Sequence, residues 1–106
     1  DRNSFSPLIK SINRILSEKR KEDLYSDQFN AAYPGYLEYL TRTYTDLTTS
    51  DLKLCTFLRM NLNTKEIAEI MGLSVRSVES RRYRLRKKIN LSKDEDLVSN
   101  LISLKY

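Results

Sequence analysis

Histidine is absent from this chain and cysteine occurs once, as Cys55. Those two residues supply most transition-metal ligands, so a conventional metal site is all but excluded and no metal is expected. A single cysteine permits no intramolecular disulfide and suits a reducing compartment, so we expect a cytoplasmic chain. No apolar run approaches the ~20 residues a membrane span needs, and no signal-peptide pattern opens the sequence. There is no glycine-rich phosphate loop. The acidic residues are scattered, and Asp94-Glu95-Asp96 reads as a negative first turn that complements a helix dipole. We therefore expect neither an enzyme nor a cofactor.

Glycine and proline are nearly as scarce, at two each, while leucine, isoleucine, lysine, arginine and glutamate abound. That balance favours helices over sheets and predicts an all-α chain. At 106 residues it can hold one modest domain plus an accessory element. It begins at Asp1 without methionine, from which we expect a fragment of the C-terminal end of a longer protein.

Charge is present but unevenly placed. Between Ser74 and Asn90 there are seven cations (Arg76, Arg81, Arg82, Arg84, Arg86, Lys87, Lys88) against one anion, Glu79. That segment carries +6 and the whole chain +5, which leaves −1 for everything else. A localised basic helix is the footprint expected for a phosphate backbone.

The same segment has the punctuation of two helices joined tightly. A short helix over Thr64 to Met71 puts Ile67, Ala68, Ile70 and Met71 on one face. Gly72 suits the left-handed residue after a helix end, and Ser74 can cap a second helix over 75–90. Short helix, glycine turn and longer basic helix make a helix-turn-helix. At about 100° per residue, Val78, Leu85 and Ile89 form a narrow stripe for the core. Opposite lie Arg76, Ser80, Tyr83 and Lys87, with Glu79 and Arg84 flanking them. Early residues of the second helix meet base edges in such motifs, so Arg76, Glu79, Ser80, Tyr83 and Arg84 are the base-facing candidates. Thr64, Lys65, Ser77, Lys87 and Lys88 are the candidates for phosphate contact. Arg81 and Arg82 flank the core stripe; their heads could reach water, phosphate or a carboxylate.

Upstream, Phe5, Leu8, Ile9, Ile12, Ile15 and Leu16 share one stripe, with Ser6 as cap and Pro7 at the first helical position of a helix over 7–21. The spacing of Phe5, Leu8, Ile12 and Ile15 fits a coiled-coil seam for about one and a half heptads. It allows packing on the same chain or pairing with another copy, and we favour the same chain. The polar run 17–23 is an exposed helical stretch or a link. Helices follow at 24–32 and 34–44, interrupted by Pro34-Gly35. Their tyrosines belong in a core with hydroxyls at the surface. Thr48-Thr49-Ser50-Asp51 and Asn63-Thr64-Lys65-Glu66 have the form of capping boxes, the first opening a helix over 49–60. Cys55 reads as a small buried hydrophobe. A further box, Ser92 to Glu95, predicts a last helix over 94–104. Leu101 and Leu104 are its candidates for contact with a second copy.

From Leu47 to Leu104 the chain resembles the LuxR-type DNA-binding domain. The matching pieces are Leu47-Thr48-Thr49-Ser50-Asp51-Leu52, Thr64-Lys65-Glu66-Ile67-Ala68, Gly72-Leu73-Ser74, Ser77-Val78-Glu79 and Leu85-Arg86-Lys87-Lys88-Ile89. The resemblance implies a four-helix helix-turn-helix domain at 46–106, preceded by a helical connector at 1–45. Its third helix would enter the major groove and its fourth would pair with a second copy. Some regulators with such an end carry an aromatic helix pair between this domain and an upstream sensor. Arg81 stands where the family often has His, and Asn90 where it often has Gly; Asn tolerates the left-handed conformation. Ser80-Arg81 and Arg84-Leu85-Arg86 also look like region 4 of small sigma factors, whose partner is RNA polymerase. Such a factor needs a promoter-melting domain upstream, which residues 1–45 do not resemble. A helical protein–protein module with a basic face is the remaining alternative. The expectation is a dimeric transcriptional regulator's output domain on double-stranded DNA.

Overall fold

A computed structural model describes the backbone from Arg2 to Tyr106 and the side chains of residues 9–14, 16 and 23–106. The described residues form six α-helices and no strand: α1 (Arg2–Ala32), α2 (Tyr36–Thr43), α3 (Thr49–Arg59), α4 (Thr64–Met71), α5 (Val75–Lys88) and α6 (Leu97–Ser103).

Three of these helices end in the same way. At the close of α3, α4 and α5 one residue turns left-handed: Asn61 at φ 62°, Gly72 at φ 66° and Asn90 at φ 59°. The next amide reaches back five residues, from Leu62 to Phe57 O at 3.1 Å, Leu73 to Ala68 O at 2.9 Å and Leu91 to Arg86 O at 3.0 Å. These are Schellman ends, which satisfy carbonyls the helix would otherwise leave open. The helix starts are equally local. Thr48 and Asp51 exchange bonds of 2.9 and 3.1 Å, and Asn63 and Glu66 bonds of 3.0 and 2.8 Å, completing both expected boxes.

The last helix departs from expectation. Its cap is Asp96, which accepts from the Ser99 amide at 2.9 Å, rather than Ser92. Residues 93–95 are exposed, so no buried face rewards a helix there. Ser92 to Glu95 forms a turn instead, and helix begins where Leu97 and Leu101 can enter the core.

The core is one cluster. Phe29 from α1 and Tyr36 and Leu40 from α2 join Leu54, Phe57 and Leu58 from α3, Ile67 and Ala68 from α4, Val78 and Leu85 from α5, and Leu97 and Leu101 from α6. The boundary expected at residue 45 therefore does not separate one core from another. The Phe29 ring lies 5.4 Å from that of Tyr36, and Tyr25 meets Phe57 edge-on at 6.3 Å. Tyr36 departs from the expectation of a hydroxyl at the surface. It is fully buried and donates to the Leu101 carbonyl at 2.6 Å, answering an open carbonyl in the last turn of α6.

The first helix is longer than its pattern implies. It starts ahead of the expected Ser6–Pro7 cap and runs unbroken through residues 17–23. Proline removes one hydrogen bond near a helix start, and the Glu-Lys-Arg-Lys-Glu run that follows is made of good helix formers. The side chains of Phe5, Ser6, Leu8 and Ile15 lie outside the described residues. Ile9, Ile12 and Leu16 are exposed by 55%, 46% and 46%, so among the described residues of this stripe the favoured packing on the same chain does not occur. The reason is length: 31 residues of helix span about 46 Å, in a molecule 58 Å long but only 29 by 22 Å across.

Candidate nucleic-acid interface

The site is built from a turn and a face. Gly72 ends α4 in the left-handed region, Leu73 turns in, and Ser74 caps α5 by accepting from the Ser77 amide at 3.1 Å. α4 and α5 pack on each other, with Ala68, Val78 and Leu85 buried. With Val78, Leu85 and Ile89 turned inward, the opposite side of α5 is dictated by the helix period. Arg76, Glu79, Ser80, Tyr83 and Arg84 are all exposed on it. A groove of about 350 Å³ along this side is lined by Ser74, Arg76, Ser77, Ser80, Arg81 and Arg84.

The phosphate candidates divide. Lys65 and Lys87 are exposed, and the Lys87 ammonium stands 4.5 Å from the Tyr83 ring centre, a cation–π pair one turn apart. Ser77 is half-buried, and its hydroxyl accepts from that of Ser74 at 2.9 Å. Thr64 accepts from Arg82 Nη1 at 3.2 Å. Lys88 does not present a free cation. Its Nζ lies 2.5 Å from Asp51 Oδ2, which ties the end of α5 to the cap of α3. Burial pushes the Asp51 carboxyl up, but the Lys88 bond and the Thr48 amide and hydroxyl outweigh it and hold it below the usual carboxylate range.

Arg81 and Arg82 have partners that no sequence pattern indicates. Arg81 Nη1 donates to Ser50 Oγ on α3, and Arg82 donates to Thr64 on α4. Both acceptors are neutral hydroxyls, distant in the chain, and no local signal announces them. Arg86 donates to the Ser92 carbonyl at 2.7 Å and fixes the link to α6. Of the two residues expected to contact a second copy, Leu101 is wholly buried in the chain's own core and Leu104 is half-buried against it. The exposed aliphatic of α6 is Ile102.

Cys55 lies in the core, where burial pushes its thiol up to about 12. It stays a neutral thiol. Among the described residues no cluster could hold a metal ion, and no helix is long and apolar enough to cross a membrane.

Capped turn, buried stripe and cationic outer face define a helix-turn-helix DNA-binding module in an all-α chain. Residues 60–89 match the family model described as sigma-70, region 4, which is less than a third of the chain. The matched stretch holds the whole of α4 and α5. No curated protein and no solved structure matches the chain.

Proposed function

We propose that the chain is the DNA-reading output domain of a cytoplasmic transcriptional regulator, similar to the LuxR type, that acts as a dimer downstream of a sensor domain. One observation carries it: α5 buries Val78, Leu85 and Ile89 while Arg76, Ser80, Tyr83 and Arg84 stand exposed on the other side of a glycine-turned, serine-capped helix. In this reading α5 lies in the major groove, with Arg76, Glu79, Ser80, Tyr83 and Arg84 toward bases. Lys65, Lys87, Ser77 and the helix start at Thr64 stand toward the backbone. The LuxR-type resemblance extends past α5, and α6 returns to pack on α3 as a four-helix arrangement requires. Selection of bound sites from a random DNA pool tests the proposal. A palindrome with half-sites about one helical turn apart is expected. With some six cations on phosphates, log affinity should fall with log salt at a slope near −5. A slope near zero on every sequence would end it.

A second reading is favoured by the family match: a sigma region 4-like module that binds a promoter element and RNA polymerase. The two separate on one measurement. Retention of polymerase core by the chain, with an asymmetric selected site, would select the sigma-like reading.

A further inference from the structure

Arg81 borders three adjoining hollows. One is the groove along the outer side of α5. A second, of about 180 Å³, is lined by Thr48, Asp51, Arg81, Arg84 and Lys88. A third, of about 400 Å³, opens beside Thr49, Ser50 and Leu73. The middle hollow gathers three cations around one carboxylate, and that carboxylate is already bonded to Lys88 and to the Thr48 amide. An anion fits the third hollow better, since among the described residues no carboxylate lines it and both Arg81 and Ser50 do.

We propose that the third hollow seats a second DNA backbone phosphate, held by the Arg81 guanidinium and the Ser50 hydroxyl, so that the start of α3 grips the strand bordering the groove α5 enters. The inference rests on the DNA-binding reading above. Arg81 has five N–H donors in a planar fork, and one of them goes to Ser50 Oγ. The remainder match the paired oxygens of a phosphodiester. Ser50 Oγ accepts from Arg81, which leaves its own proton to donate to the same anion. The side chain is half-buried and tethered before any ligand arrives, so less rotamer freedom remains to be lost on binding. Arg81 lines both this hollow and the outer groove, so a strand followed along α5 leads into it.

Ser50→Asp in the full chain separates this seat from a purely structural Arg81–Ser50 tie. A carboxylate there keeps an acceptor for Arg81 and adds negative charge to the first turn of α3, which favours the fold. A structural tie therefore predicts an unchanged or raised thermal midpoint and unchanged DNA binding. A phosphate seat predicts the same midpoint with weaker binding to every DNA sequence. One lost phosphate contact lowers the salt slope by about 0.9, which is roughly eightfold in affinity at 0.1 M salt. Arg81→Gln should lower the slope by the same amount. If the parent chain binds DNA with a steep slope and Ser50→Asp matches it, the seat is wrong and the DNA reading stands. If the parent binds no DNA, both fall. Saturable binding of inorganic phosphate at constant ionic strength, with Ser50→Asp retaining full DNA affinity, would assign the hollow to a free anion and overturn the seat.

Discussion

At the scale of single residues, Asp51 joins two tasks in one carboxyl. It closes the cap of α3 through the Thr48 amide and holds Lys88 at the end of α5, with its side chain only 11% exposed. Its folded pKa is depressed, so the ionised form stabilises the fold above the unfolded carboxylate value of ~3.9. That contribution is lost as pH falls from there through the lowered folded value. Asp51→Asn should cost about 1–3 kcal/mol in urea unfolding at neutral pH and flatten the acid limb of stability. An acid limb as steep as the parent's would show that other carboxylates set it. Tyr36 offers a second test. Tyr36→Phe removes only the bond to the Leu101 carbonyl and leaves that oxygen buried and unpaired. A loss of about 1–3 kcal/mol is expected, again by urea unfolding. A hydroxyl that reached water instead would leave stability unchanged.

At the scale of elements, the turn between α4 and α5 depends on backbone conformation rather than space. A Cβ built on Gly72 would meet nothing within 4 Å, yet φ is +66°. Gly72→Ala should therefore cost about 1–2 kcal/mol through the left-handed backbone alone, and Gly72→Asn clearly less. Both should bind DNA like the parent per folded molecule, as measured by titration below the unfolding midpoint. What the sequence makes legible follows the same division between local and distant causes. The two capping boxes, the Gly72 turn, Asn90 and the buried stripe of α5 depend on residues within one or two turns, and all are legible. So is the exposed side of α5. The Ser92 box fails because Asp96, equally local, competes with it, and the choice is made by where Leu97 and Leu101 must point. The partners of Tyr36, Arg81 and Lys88 stand 65, 31 and 37 positions away, and no short pattern encodes such pairs. Asn61 repeats the Asn-Leu signature of Asn90-Leu91 and is readable from it.

At the scale of the whole molecule, α1 belongs to two environments. Its C-terminal end is fastened to the core by Phe29 and by Tyr25 against Phe57 of α3, and just beyond it the Arg59 guanidinium stands 4.4 Å over the Tyr33 ring. Ile9, Ile12 and Leu16, three and four positions apart, lie outside the core and exposed at the spacing of a coiled-coil seam. Under the dimeric reading this stripe is the pairing surface, with α6 left to close the domain's own core. Ile12→Glu distinguishes that arrangement from an isolated solvated helix. Ile12 is 46% exposed and absent from the core cluster, so the thermal midpoint of the dilute chain should hold. In a symmetric pair the change removes two packed isoleucines, about 3 kcal/mol or more, or on the order of a hundredfold in the dimer constant. Sedimentation equilibrium over a range of concentrations reads this directly. Affinity for a lone half-site should stay at the parent's value, while affinity for the paired site should fall toward it. A variant that sediments like the parent would remove α1 from the interface and leave the exposed side of α6, around Ile102, as the surface to test next.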